Sequence, residues 1–135
     1  MRGYRGYVSS RAIDGDRAPQ RMQNLAIRDY AARRKLFLKL SATEWAMPGC
    51  YLMLEQVVAE LADLDGVILY SLGQLPEDAG KRGKLLDAFL AAGAALHAAL
   101  ENVAMTDAAS RQQLEDLFLV RKILNHSPDP ALLLR

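Results

Sequence analysis

The sequence predicts an α/β fold of three layers, a mostly parallel sheet of four to five strands with helices on both faces. Short apolar runs alternate with helix-period stretches along the whole chain. The run Val67-Ile68-Leu69-Tyr70 is continuously apolar, as suits a strand covered on both faces and placed at the centre of a parallel sheet. With 135 residues, 51% apolar and 24% charged, the chain has material for one core and hardly for two. Strands separated by helices imply right-handed crossovers, so the strands deliver their carboxyl ends to one edge, where open parallel sheets bind ligands.

Tyr4 to Ser9 reads as the first strand, and Asp14-Gly15-Asp16 as a turn. Pro19 suits the first turn of a helix, where its missing N–H is not needed. That helix carries Met22, Leu25, Ala26 and Tyr30 at spacings of three and four, while Arg21, Arg28, Arg33 and Arg34 take the other positions. Leu36 to Leu40 is the expected second strand, and Ser41 to Gly49 a loop. The next helix places Leu54, Val57, Val58 and Leu61 on one stripe and stops near Asp65-Gly66. After the third strand, Leu85, Leu86, Phe89 and Leu90 mark a helix that Gly93 terminates. Ala94 to Leu100 is the expected fourth strand. Thr106 or Asp107 then caps a last helix through Leu114, Leu117, Phe118 and Leu124. One domain is expected over residues 1–125, followed by an irregular tail over 126–135 with Pro128 and Pro130.

Seventeen Lys and Arg against sixteen Asp and Glu leave a formal charge of +1, so no cationic excess announces a polyanionic partner. One cysteine, Cys50, cannot form an internal bridge, and two histidines supply few metal ligands. No apolar leader stands at Met1 to Tyr7, and no run approaches the ~20 residues that span a bilayer. The expected compartment is the cytoplasm, with no membrane, metal or cofactor.

The expected carboxyl edge gathers Ser9, Ser10, Arg11 and Arg17 after the first strand, Ser41, Thr43 and Glu44 after the second, and Ser71 with Gln74 after the third. Glu101 and Asn102 follow the fourth. Such loops also carry hydroxyl residues simply to cap the next helix, so each Ser or Thr has a structural reading beside the functional one. Ser9-Ser10-Arg11 would set a hydroxyl beside a guanidinium whose fork suits phosphate or carboxylate. Neither His97, inside the fourth strand, nor His126, in the tail, offers that serine a base, and no G-x-S-x-G elbow occurs. The glycine patterns of dinucleotide and ATP loops are absent too. Cys50 falls at a helix start, which favours a thiolate, although a lone cysteine there is as readily inert packing. Trp45, Met47 and Tyr51 either wall a pocket or seal the core.

The runs Gly6-Tyr7-Val8-Ser9-Ser10-Arg11, Pro19-Gln20, Gln23-Asn24, Met47-Pro48-Gly49, Leu69-Tyr70-Ser71-Leu72 and Leu100-Glu101-Asn102 resemble the catalytic domain of serine resolvases and invertases. That resemblance implies a doubly wound, resolvase-like or flavodoxin-like topology, a first-strand serine that attacks DNA, and a final helix used in dimerisation. This chain departs from the family's arginines. Tyr7 or Val8 stands where an arginine precedes the nucleophile, Ala46-Met47 replaces Asp-Arg, and the third loop reads Leu72-Gly73-Gln74-Leu75-Pro76-Glu77. A transferring phosphoryl group needs such cations, so DNA cleavage is not expected.

Over about residues 6 to 104 the chain more closely resembles the sporadic carbohydrate cluster proteins, small bacterial proteins. The match runs through Gly6 to Arg11, Pro19-Gln20, Gln23-Asn24, Ile27-Arg28-Asp29-Tyr30, Leu40 to Tyr51 and Tyr70-Ser71. This resemblance implies a setting in surface-polysaccharide biosynthesis. The combined expectation is an enzyme or ligand-binding protein that takes a phosphorylated or carboxylated sugar at the carboxyl edge. Ser10, Glu44 and Cys50 are its candidate catalytic residues, and Ser9, Arg11, Gln20, Thr43 and Ser71 its candidate substrate contacts. The alternative is a non-catalytic oligomeric scaffold with a degenerate serine-recombinase-like fold, paired through Leu114, Leu117, Phe118, Val120, Ile123 and Leu124.

Overall fold

The computed structural model describes residues 2–10, 12–13, 17–45 and 51–125. Its elements run β1 (Tyr4–Ser9), α1 (Gln20–Arg33), β2 (Ala42–Glu44), α2 (Leu52–Ala59), β3 (Gly66–Leu69), α3 (Ala79–Ala92), β4 (Ala95–Ala98), β5 (Val103–Met105) and α4 (Ala108–Asn125). Short 3₁₀ turns at Leu61–Asp63 and Leu72–Gln74 flank β3. The sheet order is β2-β1-β3-β4-β5, with β3 central, as its unbroken apolar run requires. β1 pairs in parallel with β2 and β3, and β3 with β4, whereas β5 returns antiparallel to β4.

Alternation along the strands divides the core. Tyr7, Val67, Leu69, Leu96 and Ala98 face α2, α3 and α4, meeting Leu54, Val57, Leu86, Phe89, Leu114 and Phe118. Val8 and Ile68 face the other way, onto Ile27, Tyr30 and Ala31 of α1. Gly6 lets α1 and the segment before β2 approach closely, because a Cβ there would run into the Ser41 hydroxyl and the Ile27 methyl. Gly93 ends α3 in the left-handed conformation, φ 68°, as its position suggests. Arg82, buried on α3, donates to the carbonyls of Pro76 and Glu77, both at 3.0 Å. It also pairs with Glu115 at 3.0 Å and lies 4.1 Å over the Phe118 ring, clamping the loop after β3 to α4.

Several expectations change. Leu36–Leu40 contributes a single bridge, Leu38 to Tyr4, and β2 begins two residues beyond it. Leu36 and Leu38 are half-buried against the α1 side while Phe37 and Leu40 stay exposed, so that apolar run is a connection. Ala42 and Glu44 are the side chains that enter the protein. On α1 the buried stripe is Gln23, Ile27, Tyr30 and Ala31, and Met22 and Leu25 point to solvent. Pro19 takes the N-cap position, one residue outside the helix. The strand β5 was not anticipated; its hairpin turns on Asn102 at φ 55°, a left-handed conformation that asparagine tolerates. Trp45 is 68% exposed and so does not seal the core. The turn at Asp14–Asp16, the loop 46–50 and the tail 126–135 lie outside the described residues.

Candidate functional site

The crossovers carry α1 to one face and α2 to the other, so the strand order reverses between β1 and β3, where ligand crevices form in such sheets. The structure fills that crevice with side chains. Ser9 is fully buried: its amide donates to Gln23 Oε1 at 3.0 Å, and its carbonyl accepts from Gln23 Nε2 at 2.8 Å. Gln74 Nε2 donates to Ser9 Oγ and to Gln23 Oε1, both at 3.1 Å, while Gln74 Oε1 accepts from the amides of Tyr70 and Ser71. Ser71 Oγ in turn donates to Glu101 Oε2 at 2.9 Å. Glu101 also accepts from the Leu72 amide and pairs with Arg121 of α4 at 2.6 Å. One polar chain thus links α1, β1, the loop after β3, the β4–β5 turn and α4. Buried groups satisfied this fully act as mutual supports.

Glu44, expected as an acid or base, sits 2% exposed at the end of β2. Its carboxylate accepts from the Tyr7 hydroxyl at 3.0 Å and from the Met53 and Leu54 amides at 3.1 to 3.4 Å. It is the acceptor for the free amides of the first turn of α2, which has no cap from its own N-cap residue. Asp78 serves α3 and Asp107 serves α4 in the same way, and these amide bonds lower both carboxyl pKa values. Ser71 caps the Leu72–Gln74 turn in a capping box with Gln74. Ser10 is half-buried, its hydroxyl 3.4 Å from the Glu44 carbonyl. Thr43 is half-buried on the opposite side of β2 from Ala42 and Glu44, and Gln20 is the half-buried first residue of α1. Arg11 and Cys50 lie outside the described residues.

The structure therefore brings Ser9 and Ser71 into one network, places Ser10 and Glu44 beside it, and leaves Thr43 outside it. Sequence reasoning set Gln74 and Glu101 at this edge without naming them as site residues, and met Gln23 only within a motif. The signal for Gln23 was its place on the stripe with Ile27, Tyr30 and Ala31, where a glutamine needs buried partners.

A second polar cluster lies under α1. The Tyr30 hydroxyl is 2.6 Å from His97 Nδ1, with the Tyr4 ring edge-on to the imidazole, and His97 Nε2 is buried without a hydrogen-bond partner. Burial, helped by nearby Arg34, lowers the His97 pKa to about 4. Burial also raises Tyr30, so its hydroxyl keeps its proton beside His97 Nδ1.

A cleft of about 310 Å³ opens between α2 and α3, lined by Tyr51, Glu55 and Val58 on one wall and by Lys81, Lys84 and Ala88 on the other. Among the described residues no three His, Cys, Asp or Glu side chains gather as a metal site would require. No helix among them is long and apolar enough to cross a membrane.

The sheet and its four α-helices form an α/β domain that resembles the catalytic domain of resolvases. Among solved structures, the chain is similar to the N-terminal catalytic domain of TP901-1 integrase. The TM-score is 0.65 over 88% of this chain and 95% of that one, at 16% identity, a likeness of fold alone. No protein-family model matches the chain, and no curated protein does.

Proposed function

We propose that this chain is a non-catalytic subunit of bacterial surface-polysaccharide assembly that keeps a recombinase-type fold and associates with a second copy of itself through α4. The polysaccharide setting rests on the motif resemblance between residues 6 and 104. The observation that carries the reading is the second apolar face of α4. Leu114 and Phe118 enter the core, yet Leu117, Leu119, Val120, Ile123 and Leu124 are between 40% and 64% exposed. Exposed apolar side chains outside the core stripe, broken only by Arg121 and Lys122, suit a helix half covered on both sides. Burial of Ser9 in the glutamine network and use of Glu44 as a helix acceptor support the non-catalytic part, because a nucleophile or proton donor must reach its substrate.

Sedimentation of the full chain tests this. The expected result is a dimer that Leu119→Asp with Ile123→Asp converts to a folded monomer. A wild-type monomer at high micromolar concentration sinks the reading. So does a dimer unaffected by both substitutions.

A second reading, a phosphorylated or carboxylated sugar at the β1 end of the carboxyl edge, has two features in its favour. α1 begins without a side-chain acceptor from its N-cap residue and without a first-turn carboxylate, and Arg17 and Arg21 are exposed beside it. Saturable binding of glucose 6-phosphate that is lost in Arg17→Glu with Arg21→Glu would favour it.

A further inference from the structure

We propose that the cleft between α2 and α3 is a binding site for a small organic anion, one phosphate or carboxylate carried on a ring-sized apolar body. The inference is independent of association through α4.

The cleft is made by two matching helical stripes. Tyr51, Glu55 and Val58 are spaced by four and three along α2, while Lys81, Lys84 and Ala88 are spaced by three and four along α3, so each set lies on one face of its helix. Leu85 and Pro76 complete the lining with apolar surface. Its volume, about 310 Å³, is at the lower end of the range for small-molecule pockets. Both helices start from the carboxyl edge of the sheet, and Tyr51 before α2 and Lys81 in the first turn of α3 stand at that end of the cleft.

Charge decides the occupant. Lys81 and Lys84 form no salt bridge with a described residue; Asp78 accepts from the Lys81 backbone amide and feels the Lys81 charge at longer range. Two exposed ammonium groups without a salt bridge to a described residue, above an apolar floor, match a ligand with one anionic end and one apolar end. Phosphate and carboxylate are the groups that ammonium donors hold by charge-assisted bonds. The floor of Val58, Leu85 and Ala88 gives a ring face something to cover, and Glu55 on the opposite wall is an acceptor for a hydroxyl on the same ligand.

The test follows backbone amide resonances of the ¹⁵N-labelled full chain during titration with phenyl phosphate and, separately, benzoate. The expected result is saturable shifts at Glu55, Val58, Lys84 and Ala88 with both anions, and weaker binding of phenol. Lys81→Gln with Lys84→Gln should weaken phenyl phosphate about tenfold while leaving the spectrum of the free protein otherwise unchanged. Ala88→Leu, which fills the floor without touching charge, should abolish the shifts. The proposal is overturned if the shifts fall on Gln20–Gln23 or along residues 117–124 instead, or if the double lysine variant binds as tightly as wild type. Equal affinity for phenol removes the anion from the proposal. Tighter binding of glucose 6-phosphate than of phenyl phosphate removes the apolar body.

Discussion

Acidification from pH 7 to pH 5 should loosen this fold through His97, before the carboxylates begin to titrate. The imidazole is 6% exposed, packed against the Tyr4 and Tyr30 rings and opposite Ala104 on β5, and it feels the charge of Arg34 at the end of α1. Its pKa in the folded protein is about 4, against 6.5 for an unfolded chain. The unfolded state therefore takes up a proton that the folded state refuses. The stability conferred by neutral His97 is complete above about pH 6.5, declines as the pH falls, and is gone below about 4. That gap, at about 1.4 kcal/mol per pH unit, amounts to about 3 kcal/mol, a large share of a small domain's total. Urea denaturation at half-unit steps between pH 7 and 5 reads the larger part of it. His97→Gln is less stable at pH 7, since it loses the fitted ring, but its profile over that window should be nearly flat. A wild-type midpoint that does not move between pH 7 and 5 refutes the reasoning, as does an equal slope in the variant. Asp65, Asp78 and Asp107 have lowered pKa values through backbone amide donors, so their contribution is lost below about pH 4, separate from that of His97.

Glu44→Ala removes the acceptor of two amides at the start of α2 and of the Tyr7 hydroxyl, and should cost about 2 to 3 kcal/mol in urea denaturation, with no change in phenyl phosphate affinity. Gln74→Leu leaves the Ser9 hydroxyl and the Tyr70 and Ser71 amides without that partner, for a loss of about 3 kcal/mol and faster hydrogen exchange at those amides. Gly93→Ala places a side chain at φ 68° and should lower stability by about 1 kcal/mol, seen as a thermal midpoint several degrees lower.

The parallel core was legible because its strands announce themselves. Val67 to Leu69 are buried without exception, and Gly93 stands one residue past a clear helical stripe. The ends of the sheet were harder to read. β2 is three residues with a threonine at its centre, and Leu36–Leu40 looks more like a strand than β2 does. Apolar content cannot tell a half-buried connection from a strand when the deciding partner, Gly6 with Ser41, is far away in sequence. β5 follows a turn set by one left-handed asparagine and has only three residues, too few to show alternation. At the carboxyl edge, the meeting of Ser9 with the loop after β3 followed from topology. That the network would be closed by Gln23 and Gln74 did not, because a glutamine's partners are fixed by tertiary distance. The cleft between α2 and α3 needed the two stripes to be set face to face, and neither helix alone shows it.

The reversed direction of β5 has an electrostatic consequence. α1, α2 and α3 begin at the carboxyl edge and point their amide ends there, each a fractional positive pole. The hairpin at Asn102 returns the chain to the far edge, so α4 starts there and climbs the other way, reaching Glu101 through Arg121. Its carbonyl pole arrives at the rim beside β4 and β5, with Lys122 in its last turn as a partial counterweight. The rim is therefore polarised from one flank to the other. With Glu44 and Asp78 answering the poles of α2 and α3, the start of α1 is the part of that rim whose amide pole meets no carboxylate of its own cap or first turn.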